Sequence, residues 1–397
     1  MKKHFGRIVI VGGGFAGVKL ALSLAKHRHF DVCLISDTDF FEYHAALYRS
    51  ATGGSPKEVK IPLGEIFASY LAVKVVKDKI VEIDYSDKKI IGRSGHKYYF
   101  DKLVMAPGQV ACFYGIAGME ESAFALDSIG NADKLRKHLE RLVQSKSEEN
   151  KLEFVVIGGG ATGVELASEL QFYLQDLASG SKAKGHIIQV DLIEAAPRLL
   201  GLLSPKASKF AQWRLEELGV NLRLKTQVKA IEGDKLSLGN QEKISTRTVI
   251  WTAGAINNPI FAKYPDLFSL GRNGRVQVDE YLRAHQDIYV IGDSADTQYS
   301  GMAQTALFDA KFLARNLVRQ SKGKHRKLYV PKRPVYLIPA GRNYAVLQWG
   351  RLVLRGKLAW TLRRLADLDI YMSFEPYRKA LRSWQAGSKH HQIGGKK

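Results

Sequence analysis

The sequence predicts an α/β chain built from two Rossmann-like dinucleotide-binding domains, followed by a basic, amphipathic helical segment at the C-terminus. Three observations carry that expectation. Two glycine-rich turns of one kind, GGGFAG at Gly12 to Gly17 and GGGATG at Gly158 to Gly163, recur 146 positions apart in 397 residues. Each follows a short apolar run, Ile8 to Val11 and Phe154 to Ile157, and opens into a segment of helical character, VKLALSLAKH and VELASELQFYL. Strand, turn and helix in that order are the context a GxGxxG match needs before it counts as a nucleotide cradle. The third observation is the tail: from Gly341 to Lys397 there are 12 Lys and Arg against 3 Asp and Glu, a local net charge of +9, interleaved with Leu, Tyr and Trp.

Within each turn the glycines have separate tasks. Gly12 and Gly158 permit the tight turn, Gly14 and Gly160 let backbone N–H groups approach a pyrophosphate, and Gly17 and Gly163 let helix and strand pack closely. The pyrophosphate then lies at a helix N-terminus, where unpaired N–H groups and the helix dipole favour an anion. The acid closing the second strand of such a unit reports the ribose, because a carboxylate accepts from a 2′-OH and repels a 2′-phosphate. In the second unit that acid is Glu194, at the end of VDLIE, which favours NADH over NADPH. The stretch SGSKAKGH, Ser179 to His186, is read as the loop that lengthens the interval before it. In the first unit DVCLIS ends on Ser36 where an acid is expected, which leaves Asp37 as the ribose contact.

A third segment, DIYVIGDSAD at Asp287 to Asp296, ends an apolar strand on Gly292 and Asp293. Gly and Asp are ordinary turn residues. After two nucleotide units, however, this segment resembles the last flavin motif of two-dinucleotide flavoproteins, with Gly292 admitting the cofactor and Asp293 accepting from its ribityl chain or ribose. The order of motifs predicts a discontinuous FAD-binding domain over 1–115 and 258–340, an NADH-binding domain over 116–257, and a C-terminal segment over 341–397. Val73 to Ile91 alternates as β structure and leads to the strand and turn KLVMAPG. Lys134 to Asn150 reads as helix and linker, TALFDAKFLARNL as helix, and Gln320 to Lys327 as a basic surface loop.

Composition narrows the function classes. At 45% hydrophobic the chain can bury two or three domain cores. The formal charge is 60 minus 39, or +21, which points to an anionic surface; with no nucleic-acid-reading motif among the basic residues, a membrane surface is the expected partner. No apolar stretch approaches the ~18 to 20 residues of a spanning helix, and the run after MKKHF is too short for a signal sequence, so the chain is expected in the cytosol. The two cysteines, Cys33 and Cys112, form no CxxC, which excludes a disulfide redox partner beside a flavin. Sulfide:quinone oxidoreductases and flavin peroxidases also need reactive cysteines that this chain lacks. Its histidines, including His390 and His391 in the tail, show no metal-ligand spacing, so no metal is expected.

The chain resembles the type II NADH dehydrogenases over nearly its whole length. The resemblance rests on GGGFAG, FEYHAALYRSATG at Phe41 to Gly53, GGGATGVELASEL at Gly158 to Leu170, WTAGA at Trp251 to Ala255, VIGDSAD, AQTALF at Ala303 to Phe308, and the basic C-terminus. It implies a flavoprotein that passes electrons from NADH through FAD to a membrane quinone without pumping protons. It further implies FAD contacts at Phe15, Ala16, Ala106, Gly108, Ala303 and Gln304 beside the glycines, and NADH contacts at Ala161, Thr162, Glu165, Ala253 and Gly254. Glu165 resembles the family's acid near the nicotinamide, although a helix-opening Glu favoured by the dipole has the same appearance. Gln304 is expected on the quinone side as a hydrogen-bond donor. The family's quinone motif AQxAxQ is broken here by Phe308 in place of the second Gln.

The tail completes the expectation. Leu358, Leu362, Leu365 and Met372, then Tyr377, Leu381 and Trp384 after Pro376, fall near helical spacing, with Arg351, Arg355, Lys357, Arg363, Arg364, Arg378, Lys379 and Arg382 between them. Basic residues around an apolar stripe describe an interfacial helix on anionic lipid. The chain is therefore expected as a peripheral protein on the cytoplasmic face of the membrane, as a homodimer. The same helices could instead cap the flavin domain or pair across that dimer. Two other functions remain open at this point: a soluble NADH-dependent reductase of a ferredoxin-like acceptor, and a redox-signalling flavoprotein.

Overall fold

The structure is a computed structural model that describes residues 6–27, 29–145, 151–179, 187–271 and 273–390. Strand β1 (Arg7–Val11) feeds the first glycine turn and helix α1 (Phe15–Ala25), and β2 (Asp31–Ser36) returns parallel to β1, with Val11 opposite Ile35. Both strands are near-continuous apolar runs because a parallel sheet is covered on both faces. In α1 the residues Ala16, Leu20 and Leu24 repeat at i, i+4 and are buried. A two-stranded ribbon, Phe40–Glu42 against Lys60–Pro62, holds a loop whose short helix α2 (Leu47–Ala51) is wholly buried. With Val73–Lys77, β3 (Lys102–Met105), Ile288–Val290 and Arg283–His285, the first unit forms a six-stranded sheet.

Helix α3 (Ile129–Gln144) leads to the second unit, capped by the Ser128 hydroxyl, which accepts from Asn131 N–H. There β4 (Lys151–Ile157), the glycine turn, α4 (Ala161–Ser179) and β5 (Ile187–Ile193) repeat the first arrangement, with Ile157 opposite Ile193. Phe124–Ala125, β6 (Thr248–Trp251), β4, β5 and Asn221–Arg223 make a five-stranded parallel sheet in that order. Each unit also carries a three-stranded antiparallel sheet in the same place along the chain, at 80–99 and 228–245. Gln109–Ala111 and Ala255–Asn257 pair antiparallel as a ribbon between the units. Most of the loop expected at Ser179 to His186 and the linker end at 146–150 lie outside the described residues.

Helix α5 (Ala303–Ser321) packs along α1 and completes the first unit. The C-terminal segment departs from expectation. It begins with an antiparallel sheet, Tyr336–Pro339, Ala345–Trp349 and Leu352–Gly356, before α6 (Lys357–Phe374) and α7 (Tyr377–His390). YAVLQW and LVLRG are short runs joined by a tight turn at Gly350, with φ near +59°, and such runs pair locally as a hairpin. The tail histidine His391 is outside the described residues.

Candidate functional site

The two glycine turns adopt one geometry. Gly12 has φ +117°, and a Cβ there would meet the Ala106 carbonyl oxygen at 2.1 Å; Gly158 has φ +113°, and its Cβ would meet Ala253 Cα at 2.7 Å. Gly17 and Gly163 press on the carbonyl oxygens of Gly12 and Gly158, at 2.0 and 1.8 Å from the Cβ positions. By contrast, a Cβ at Gly14 or Gly160 would meet nothing within 4 Å. Four glycines are fixed by close backbone approach and two face open space beside a helix N-terminus. No side chain caps α1 at Gly14, so its first N–H groups remain available to an anion. The residues around the first turn therefore fit the pyrophosphate of a dinucleotide.

The ends of β2 and β5 are pseudo-equivalent positions occupied differently. Glu194 Oε2 accepts from Gly159 N–H at 2.6 Å and Oε1 from Ala196 N–H at 2.7 Å. Ser36 occupies the matching place, its hydroxyl against Gly13, while Asp37 is exposed beyond it. Glu194 is thus anchored at the second turn, against Gly159.

Gly292 and Asp293 follow the apolar strand Ile288–Val290, with Gly292 at φ +72° and close to Ala16 Cβ. Gly292 N–H donates to Asp309 Oδ2 at 3.0 Å, and Tyr329 O–H donates to Asp309 Oδ1 at 2.6 Å. Burial pushes the Asp309 carboxyl up to about 6 despite those donors. Asp293 Oδ1 accepts from Gly301 N–H at 3.2 Å; burial raises this carboxyl, and the Arg275 guanidinium opposes the rise. Gly108, at φ +72°, faces open space, and its carbonyl accepts from Ser294 O–H at 3.1 Å. The first turn, Gly108 and Asp293 line one side of the same unit.

Gln304 opens α5 beside Ala303, but its amide is in use: Nε2 donates to Val335 O at 2.9 Å and Oε1 accepts from Val335 N–H at 3.1 Å. The side chain ties the segment entering the C-terminal sheet, leaving one amide hydrogen for another partner. Phe308 packs on Tyr329, ring centroids 5.7 Å apart.

The largest departure concerns Arg363 and Arg364, read from the sequence as part of an outward basic face. Both turn inward. Arg363 donates to Asp367 Oδ1 at 3.0 Å, Leu337 O at 3.0 Å and Ala45 O at 3.1 Å, and stands 3.9 Å from Glu165 Oε1. Arg364 reaches Asp367 Oδ2 at 3.3 Å and donates to Trp384 O, while Trp384 Nε1 donates back to Arg364 O at 2.6 Å. Arg49 on α2 pairs with Glu58 and with Asp367 Oδ2, and Tyr43 O–H donates to Asp367 Oδ1 at 2.5 Å. Three guanidiniums and three carboxylates thus share one enclosed cluster, because a buried charge persists only with a partner. Desolvation works to raise the Asp367 carboxyl, and Arg363, Arg49 and Arg364 outweigh it and hold it below the ordinary range. Glu165 has fewer partners: burial pushes it up to about 7, against the opposing pull of Arg363 and Arg49. Sequence reasoning singled out Glu165 and missed its partner; the i, i+4 spacing of Arg363 and Asp367 was the available signal.

Turning these arginines inward leaves a narrower outer face. Leu358, Leu362, Leu365 and Met372 remain exposed along α6, with Trp349 and Leu352 on the neighbouring hairpin. Trp384 packs against the core, where α7 lies on α6, and Lys379 pairs with Glu65 at 2.7 Å. No helix among the described residues is long and apolar enough to cross a membrane. Cys33 is buried within β2, and Cys112 is half-buried with its carbonyl accepting from Trp251 Nε1–H at 2.8 Å.

Residues 6–310 match the model of the pyridine nucleotide-disulphide oxidoreductase family. The chain belongs to this family. Among curated proteins it is similar to the type II NADH:quinone oxidoreductase Ndh of Mycobacterium tuberculosis, 28% identical over 95% of this chain and 87% of the relative. It is also similar to the type II NADH:quinone oxidoreductase of Staphylococcus epidermidis, 27% identical over 91% of this chain and 94% of the relative. The fold is that of NDH2 from Plasmodium falciparum solved in complex with NADH, with TM-score 0.87, 18% identity and coverage of 98% and 99% of the two chains. A sulfide:quinone oxidoreductase from Aquifex aeolicus shares the fold at TM-score 0.76 and 18% identity, over 97% of this chain and 92% of that one.

Proposed function

We propose that this protein is an FAD-dependent NADH:quinone oxidoreductase that works at a membrane surface without pumping protons. The observation that carries the reading is the pair of glycine cradles of like backbone form, each with its third glycine facing open space and both built into one chain. In the first unit Gly12, Gly14, Phe15, Ala16, Gly17, Ser36, Asp37, Ala106, Gly108, Gly292, Asp293, Ala303 and Gln304 would hold FAD. In the second, Gly158, Gly160, Ala161, Thr162, Gly163, Glu165, Glu194, Ala253 and Gly254 would hold NADH. Bound FAD supplies the two-electron chemistry that links a nicotinamide donor to a quinone acceptor.

The chain's own residues bind and orient. Backbone N–H groups of each cradle meet a pyrophosphate, and Glu194, held by Gly159 N–H and Ala196 N–H, accepts from the 2′-OH of NADH and repels a 2′-phosphate. Asp309 and Tyr329 keep the Gly292 turn in place, which fixes where Asp293 presents its carboxylate. Gln304 offers its remaining amide hydrogen on the quinone side. The exposed stripe Leu358, Leu362, Leu365 and Met372, flanked by Arg351 and Lys357, meets anionic lipid, and each Lys or Arg at such a surface contributes roughly 1 kcal/mol. A homodimer is part of this reading.

Steady-state oxidation of NADH by the purified yellow protein, with a short-chain quinone and with and without anionic vesicles, tests the reading. Turnover with quinone is expected, with vesicle binding that weakens as salt rises. Flavin-loaded protein that binds NADH but ignores every quinone would leave the soluble-reductase function in its place. Leu358→Glu together with Leu362→Glu should release the protein from vesicles while ferricyanide reduction persists.

A further inference from the structure

Position 19 in the first unit and position 165 in the second are pseudo-equivalent: each follows the valine after its glycine turn, Val18 and Val164, one helical turn beyond the open glycine. Both side chains leave their own unit and reach the same C-terminal helix, α6. Lys19 Nζ donates to Ser373 O at 3.2 Å, at the C-terminal end of α6 where the helix dipole favours a cation. Glu165 meets Arg363 in the middle of that helix at 3.9 Å. One helix therefore contacts both cradles at corresponding points, with opposite charges.

Arg363 is placed to do more than neutralise Glu165. Its guanidinium donates to Asp367 on α6, to Ala45 O just before α2 in the first unit, and to Leu337 O in the C-terminal sheet. Three fixed acceptors from three elements leave it no freedom to swing toward Glu165, so the carboxylate must come to the guanidinium. The side chains of Glu165 and Arg363 are 9% and 12% exposed, and contact at that burial is weakly screened. A bare attachment helix would need none of these contacts.

We propose that Arg363 is a positioning residue of the nucleotide site in the second unit, holding the Glu165 carboxylate at the seam between the two units, so that α6 is part of that site as well as a surface element. The proposal rests on the reading of the second cradle as the NADH site. The charged and titratable groups facing Glu165 are Arg363 and Asp367 from α6, and Arg49 and Tyr48 from α2. Burial raises the carboxyl to about 7, and Arg363 is the largest opposing influence. Without Arg363 the carboxyl therefore holds its proton to higher pH.

The test is the pH dependence of NAD binding to the FAD-loaded protein between about pH 5.5 and 9, followed by calorimetry so that turnover is not the readout. The unmodified protein is expected to show an inflection near pH 7 that Glu165→Gln abolishes. Arg363→Met should move that inflection upward by about one unit, tenfold in proton affinity, and should change nothing further when added to Glu165→Gln. Arg363→Lys should move it by less, because a point charge cannot hold three acceptors in the same fork, and it carries the test if the Met variant loses its flavin. An inflection that stays put in a flavin-retaining Arg363 variant overturns the proposal. So does an unmodified protein whose NAD binding shows no inflection. Protein that binds NAD with these shifts yet reduces no quinone would sink the quinone reading and leave this one standing.

Discussion

The two glycine turns share their backbone and differ in what surrounds it. Gly12 and Gly158, like Gly17 and Gly163, are fixed by carbonyl and Cα atoms of their own unit at under 3 Å from a Cβ, and neither turn has freedom to vary. Beyond the turn the units part. The second strand ends on Ser36 in one and on the doubly anchored Glu194 in the other; the helix presents Lys19 in one and Glu165 in the other. Under the proposed function the pyrophosphate that both dinucleotides carry would meet backbone, and the backbone has one form in the two turns. The groups that tell one dinucleotide from another would meet side chains, and there the two units differ.

The largest expected effect separates the two cradles outright. Gly12→Ala places a Cβ against the Ala106 carbonyl at positive φ, and we expect protein that purifies without flavin and is less stable by about 2–4 kcal/mol. Gly158→Ala should keep its flavin spectrum and lose NADH binding. Loss of flavin in both variants would break the assignment of one dinucleotide to each unit.

Next in size are the two contacts that join α6 to the units, Glu165 with Arg363 and Lys19 with Ser373 O. Arg363→Met leaves Glu165 with less compensation in an enclosed site and should cost about 3 kcal/mol in a denaturant titration. Lys19→Met removes only a half-buried contact to a carbonyl and should cost less than about 1 kcal/mol. Equal costs would mean that α6 grips both units alike. Glu165 gives the comparison a pH signature. Its folded-state value of about 7 lies above the ordinary range, so ionisation is disfavoured in the fold and stability falls as pH rises from about 4 to 7. Glu165→Gln should therefore gain stability relative to the unmodified protein over that window, read as Tm at pH 5 and pH 8.

The strand-end residues should give a smaller effect. Glu194→Gln is expected to narrow the preference for NADH over NADPH by roughly tenfold, about 1.4 kcal/mol, measured as the ratio of kcat/KM values. Ser36→Ala should change FAD retention little. An unmodified protein that uses both nucleotides equally would remove the reason for treating the two strand ends as different. The smallest effect is reserved for Gln304→Ala: flavin reduction by NADH nearly unchanged in stopped flow, and reoxidation by quinone slowed several-fold. Because Gln304 also holds Val335, a drop in Tm of a degree or two is expected alongside.

How much was legible in the sequence follows the range of the interactions. The glycine turns, their strands and helices, and the strand ending at Gly292 and Asp293 could be read directly, because each depends on neighbours within about 30 residues. The apolar stripe of α6 could be read too: Leu358, Leu362, Leu365 and Met372 stand outward as their spacing demands. The direction of the basic residues between them could not. Beyond their local pairing with Asp367, Arg363 and Arg364 look like any other members of a basic helix, and only the arrival of Glu58, Ala45 O and Trp384 O from other elements turns them inward.

The amide of Gln304 illustrates the same limit, since a motif names the residue but not the Val335 backbone that occupies it. The sequence by itself determined the duplicated α/β plan, since local periodicity and glycine placement set strand, turn and helix without reference to the rest of the chain. The tertiary structure alone decided that the C-terminal helix reaches both cradles and closes a buried ionic cluster. A charge chooses between water and the interior according to the partners that long-range packing brings within a few ångströms, and of those partners spacing along the chain encodes only Asp367.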